Sequence, residues 1–168
     1  KEYILFLKSL NPEDTSKFSV AWAGESESKN WFHIAREYTE KWHHQQQIRW
    51  AIEATEPLYS FELYQPYLEA SMRALPHHYR NIKAENGDVL EFIVEHYGSW
   101  FIVYQDERWI LTKGTSEKTI CKTLIPKDIA WRIFTKGIKP NAAKKIIKIE
   151  GSAPQLGEHI LDMLAIMG

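Results

Sequence analysis

The spacing of apolar residues changes to a period of two near Asn86-Gly87, and this change constrains the fold more than any other feature of the sequence. Before it lie long segments typical of helices, separated by polar or proline-containing connections. After it, short segments alternate residue by residue, which is typical of strands. A run of helices followed by a mainly antiparallel sheet with helices of its own predicts the α+β class.

The two kinds of pattern predict two domains. Residues 1–80 are expected to form a helical part and residues 86–168 a C-terminal α+β part. Ser28 is the expected N-cap of the longest helix. The predicted helices cover residues 1–10, 29–55, 63–75, 126–135 and 153–167. The predicted strands cover residues 89–95, 99–104, 108–112, 118–124 and 145–150.

Composition excludes several classes of function. The 168 residues include 21 basic and 22 acidic residues, for a formal net charge of −1. This balance does not indicate a nucleic-acid-binding or membrane-surface protein. A small-molecule substrate is the expected partner on the ground of the resemblance given below. Cys121 is the single cysteine, which fits a reducing compartment. No apolar run approaches the ~20 residues of a membrane span. We therefore expect a soluble cytoplasmic protein.

A possible metal site lies in the predicted helix 29–55. Glu40 and His44 are four residues apart, so they share one helical face, about one turn apart. That spacing lets a carboxylate and an imidazole reach one metal ion. It is also a frequent spacing for a simple hydrogen-bonded pair. Trp42 is expected on a different face.

A resemblance to a known family rests on four segments that occur in the family's order. They are residues 35–49, Trp22-Ala23-Gly24, Arg73-Ala74-Leu75-Pro76-His77 and Ala130-Trp131-Arg132-Ile133-Phe134-Thr135-Lys136-Gly137. Residues 35–49 are similar to the last bundle helix of mycothiol-dependent maleylpyruvate isomerase-like proteins, which belong to the DinB-like metal-binding superfamily. The resemblance implies the remnant of a DinB-like helical bundle followed by a sterol-carrier-like α+β domain.

The resemblance also implies a divalent metal, with zinc as the first candidate and nickel or iron as others. Glu40 and His44 match two of the family's three ligands. The third ligand, an earlier histidine, has no counterpart here and is expected upstream of Lys1. His33 cannot replace it, because eleven residues of helix separate it from His44 by roughly 16 Å.

Two functions remain open at this point. The resemblance implies a transferase or isomerase that activates a low-molecular-weight thiol at the metal. Arg132 would then hold an anionic substrate in a bidentate grip, although an interdomain or surface salt bridge is an alternative role for it. The other function is a non-catalytic binding protein in which the α+β part holds an apolar small molecule. In that case Glu40 and His44 only pair with each other.

Overall fold

The computed structural model describes residues 2–22, 25–114 and 118–165, and it confirms the α+β class. Among the described residues, four helices precede the first strand, and a sheet with three short helices follows them. The helices are α1 (Glu2–Ser9), α2 (Asn30–Ala51), α3 (Phe61–Met72), α4 (Leu75–His78), α5 (Lys127–Phe134), α6 (Pro140–Ala143) and α7 (Pro154–Glu158). The strands are β1 (Val89–Val94), β2 (Gly98–Gln105), β3 (Arg108–Thr112), β4 (Thr119–Ile125) and β5 (Lys148–Gly151).

The five strands form one sheet in the order β3-β2-β1-β4-β5. β1 pairs with β4 in parallel, and the other three pairings are antiparallel. The mainly antiparallel sheet predicted from the sequence is therefore confirmed. β5 begins three residues later than predicted, because the backbone N–H groups of residues 144–147 bond carbonyls in and beside α6 instead of a neighbouring strand.

The closing helix predicted over residues 153–167 is wrong in its length. α7 ends at Glu158, and a 3₁₀ turn over His159–Asp162 follows it. Met163 then adopts an extended backbone conformation. Two tertiary hydrogen bonds accompany this break: His78 Nε2 bonds the His159 carbonyl at 2.7 Å, and the Ala165 N–H donates to the Phe134 carbonyl at 3.2 Å. Ile160 and Met163 are nevertheless fully buried. Residues 166 and 167 of the predicted helix lie outside the described part of the chain.

Gly157 allows α7 to lie directly against β4. A Cβ atom at this position would come within 2.6 Å of both Cys121 Sγ and Thr123 Oγ1. Real Cβ atoms do not approach other heavy atoms so closely, so the contact requires glycine. Cys121 is buried beneath this contact, as expected for a structural residue rather than a reactive one.

The helical part and the sheet share one cluster of buried side chains. The ring of Trp42, on α2, stacks on Tyr64 and Tyr67 of α3, with centroids 4.7 and 4.3 Å apart. Trp131 of α5 donates from Nε1 to the hydroxyl of Tyr59 at 3.0 Å. The rings of Trp42 and Trp131 also meet edge to face, with centroids 6.2 Å apart, and the Tyr64 hydroxyl donates to the Lys127 carbonyl at 2.8 Å, so α2 and α3 both contact α5. The division into domains 1–80 and 86–168 stays a prediction.

α1 lies outside this cluster. None of its residues is buried, and Tyr3, Ile4, Leu5 and Phe6 are exposed although they are apolar. Tyr3 reaches α2: its hydroxyl lies 3.4 Å from Glu37, an exposed residue of that helix. The packing of α1 therefore leaves apolar side chains uncovered beside α2.

Candidate functional site

The structure brings the predicted pair Glu40 and His44 together. Glu40 Oε2 lies 3.1 Å from His44 Nε2, as expected for residues one turn apart on α2. Trp42 is buried in the core, so it lies on a different face. The His44 side chain is 66% exposed and that of Glu40 is 28% exposed. The pair therefore sits at the protein surface, with Glu40 as its more sheltered member.

A third metal ligand does not accompany this pair. Within residues 2–22, 25–114 and 118–165, no three His, Cys, Asp or Glu side chains are grouped closely enough to hold a metal ion. His33 is engaged elsewhere, since its Nε2 lies 2.8 Å from Ser28 Oγ. Ser28 also accepts a hydrogen bond from the Val20 N–H. Lys29, and not Ser28, is the N-cap of α2, so the predicted capping role is wrong. The metal role of Glu40 and His44 stays a prediction.

Arg132, on α5, contacts the C-terminal end of α2, away from Glu40 and His44. Its guanidinium stacks over the ring of Trp50, with the central carbon 4.5 Å from the centroid. Its Nε is buried and has no hydrogen-bond partner. Trp50 lies ten residues beyond Glu40, about 15 Å along the helix. Arg132 does contact α2, but its stacking partner is this remote tryptophan, which the sequence did not suggest.

A groove between α1 and the first half of α2 is the candidate binding site. It has a volume of about 450 Å³. Its apolar walls are Tyr3, Phe6, Leu7, Leu10, Phe18 and Ile34. Its polar side chains are Ser16, Lys17, Asn30, His33, Arg36, Glu37 and Glu40. Glu40 thus connects the predicted pair to this groove.

The periodicity of α2 explains how one helix serves both the core and the groove. Phe32, Thr39, Trp42 and Gln46 are buried on one side. Residues 30, 33, 34, 37 and 40 follow the three- and four-residue spacing of a single helical face, and that face lines the groove. Sequence reasoning missed the groove because the apolar side chains of α1 look the same whether they contact a core or an open cleft.

The charges in the groove are unevenly paired. Glu37 forms an ion pair with Lys41 at 3.1 Å, and Glu40 pairs with His44. Lys17 and Arg36, by contrast, form no ion pair with any carboxylate in the described part of the chain. Lys17 Nζ lies 5.7 Å from the centroid of the Phe18 ring. Among the described residues, Lys41 therefore compensates the charge of Glu37 and His44 that of Glu40 only when it is protonated, whereas Lys17 and Arg36 have no carboxylate partner.

Two histidines form a separate cluster away from the groove. His78 and His159 stack with ring centroids 4.2 Å apart. His78 Nε2 bonds the His159 carbonyl at 2.7 Å, and His159 Nε2 lies 3.3 Å from the His78 carbonyl. Burial lowers the pKa of His78 to about 4, with opposing contributions from nearby groups. In the sequence, His78 directly follows His77, and nothing there relates it to the distant His159.

Comparison with known proteins assigns this chain to no family. No protein-family model matches the chain, and no curated protein matches it. A solved structure described as "UbiJ-SCP2 Ubiquinone synthesis protein" is similar, with 11% sequence identity and a TM-score of 0.39. The match covers 58% of this chain and 90% of that one. At this level of similarity the match carries no argument about this chain.

The resemblance to DinB-like and maleylpyruvate isomerase-like proteins is therefore wrong. No family model supports it, and the similar solved structure belongs to neither group. Three of the four segments are parts of helices and helix ends here, in α2, α3–α4 and α5. In the fourth, Trp22 forms a β-bridge with Glu25, and Ala23 and Gly24 lie outside the described residues. The thiol chemistry was implied by that resemblance alone. Among the described residues, no helix is both long enough and apolar enough to cross a membrane.

Proposed function

We propose that this protein binds a small molecule with an apolar body in the groove between α1 and α2. The observation that supports the proposal is the groove itself: about 450 Å³, walled by six apolar side chains that remain in contact with solvent. Binding sites for small molecules commonly have volumes of 300–1,000 Å³ and apolar walls with a few polar groups. A bound apolar ligand would remove this surface from water, which is the main source of affinity in such sites.

The proposal follows the binding-protein alternative rather than the enzyme, but it places the ligand in a different part of the protein. The sequence favoured the α+β part as the holder of an apolar molecule. There, however, inward side chains such as Leu90, Phe92 and Ile102 are completely buried against their neighbours. The groove lies instead within the helical part, between α1 and α2. The proposal includes a cytoplasmic location, supported by the single buried cysteine.

A neutral phenylnaphthylamine dye, which fluoresces in apolar surroundings, tests the proposal. We expect saturable binding to the protein, and we expect Ile34→Trp to weaken it strongly because the larger ring takes up part of the groove. Ile48→Trp is the matched control: Ile48 lies on the same helix, outside the groove, and is 65% exposed. The control should bind the dye like the wild type. Equal binding by both variants would show that the dye does not occupy the groove.

A metal site at Glu40 and His44 is kept as a separate proposal. It is supported by the 3.1 Å approach of the two side chains and by their place at the edge of the groove. Two ligands are fewer than the three that zinc ordinarily takes from a protein at an open site. Zinc, nickel or iron would therefore need a further ligand from another molecule, such as the bound compound itself.

A further inference from the structure

We infer that the molecule bound in the groove carries an acidic head group, and that Arg36 is the residue that recognises it. This inference rests on the proposed function and names the ligand class: an amphipathic carboxylate with an apolar chain. Its basis is the combination of apolar walls with two cations that lack carboxylate partners.

Arg36 is the first of these cations. It is only half-buried on α2, it lines the groove, and its guanidinium makes no ion pair or hydrogen bond within residues 2–22, 25–114 and 118–165. Partial burial of an unpaired charge is unfavourable. A guanidinium also presents a planar fork of donors that matches a carboxylate. Arg36 is therefore poised to gain from an anionic ligand that the protein itself does not supply.

The remaining charges of the groove favour the same sign of ligand. Lys17 lines the groove and makes no ion pair there, so it adds a second positive charge. The two acidic side chains, Glu37 and Glu40, are already paired with Lys41 and His44. Lys41 compensates the charge of Glu37, whereas His44 compensates that of Glu40 only when it is protonated. An incoming carboxylate therefore meets two cations that have no carboxylate partner among the described residues and at most one uncompensated carboxylate. The apolar walls would hold the chain of the same molecule.

The test compares dodecanoate with monolaurin, its uncharged glycerol ester, as competitors of the phenylnaphthylamine dye below their micelle concentrations. The two share one apolar chain, so a difference between them reports the acidic group. We expect dodecanoate to bind about tenfold more tightly, the size expected for hydrogen bonds to a charged group. Arg36→Gln should remove most of this preference and leave the affinity for monolaurin unchanged. Arg36→Lys should retain part of it.

Arg49→Gln is the matched control, because Arg49 lies on α2 but does not line the groove. It should keep the preference for dodecanoate. Equal affinity of the two competitors for the wild type, both still weakened by Ile34→Trp, would overturn the acidic head group and leave the proposed function standing. Dodecanoate binding of undiminished affinity in Ile34→Trp would indicate adsorption elsewhere and would also overturn the inference. If neither compound nor the dye binds, the proposed function fails, and this inference fails with it.

Discussion

Acidification should destabilise the protein through His78, and the size of the effect can be worked out from the structure. The ordinary pKa of 6.5 is lowered to about 4, mainly because burial disfavours the charged ring. The neighbouring His159 and Lys136 act in the same direction, whereas the hydrogen bond to the His159 carbonyl and the charge of Asp162 oppose it. The folded state therefore holds this ring neutral where the unfolded chain would protonate it.

The sign of the pH dependence follows from proton binding. Between about pH 6.5 and about pH 4, the unfolded state binds a proton that the folded state does not, so stability falls as the pH is lowered through this window. Below about pH 4 both states are protonated, and the loss ends. The pKa difference corresponds to a ceiling of about 3.4 kcal/mol. Because the ring is only partly buried, solvent screening reduces the expected loss to about 1–2 kcal/mol.

Urea unfolding at about pH 7.5 and about pH 4.5, compared between the wild type and His78→Gln, measures this contribution. Glutamine keeps an N–H donor for the His159 carbonyl but does not titrate. We expect the variant to lose about 1–2 kcal/mol less than the wild type over this interval. Burial also lowers the pKa values of His43 and His77, but both residues remain in the two proteins, so their effects cancel. Equal losses in wild type and variant would refute the reasoning.

Three further outcomes are expected. Calorimetric titration of this chain with zinc should show no tight one-to-one site, because Glu40 and His44 supply only two ligands; a tight site lost in His44→Ala would contradict this. Gly157→Ala should lower the free energy of unfolding by about 1–3 kcal/mol through overpacking against β4. Gly137→Ala should lower it by less, because the nearest of the atoms around its new methyl group lie 3.6 Å away. Trp42→Ala should cost about 3–5 kcal/mol in urea unfolding, since it empties the centre of the aromatic cluster.

The strands could be predicted from the sequence because the pattern that indicates them involves only neighbouring residues. Alternation of apolar residues and the turns between them predicted β1, β2 and β3 to within a residue or two at either end. The closing helix was less accessible, since the contact of Gly157 with β4 and the bond from His78 to the His159 carbonyl join residues that are far apart in the chain. Periodicity carries no information about such contacts.

The candidate site could be predicted from the sequence only in part. The approach of Glu40 to His44 follows from helix geometry, and the structure shows it. The groove beside Glu40 depends on where α1 lies, and the apolar residues of α1 do not reveal which of them are covered. The stacking of Arg132 on Trp50 likewise depends on how α5 meets α2. Short sequence motifs were the weakest guide, because they led to a family assignment that the comparisons overturn.

The most direct test of the central claim is the methyl NMR spectrum of isoleucine-labelled protein during titration with monolaurin. The account predicts that the Ile34 methyl signal shifts progressively and saturates, because this side chain lines the groove. The signal of Ile48, on the same helix but outside the groove, should stay in place. An unchanged Ile34 signal at ligand concentrations that saturate the dye-displacement assay, or equal shifts at both residues, would contradict the claim that this groove binds apolar small molecules.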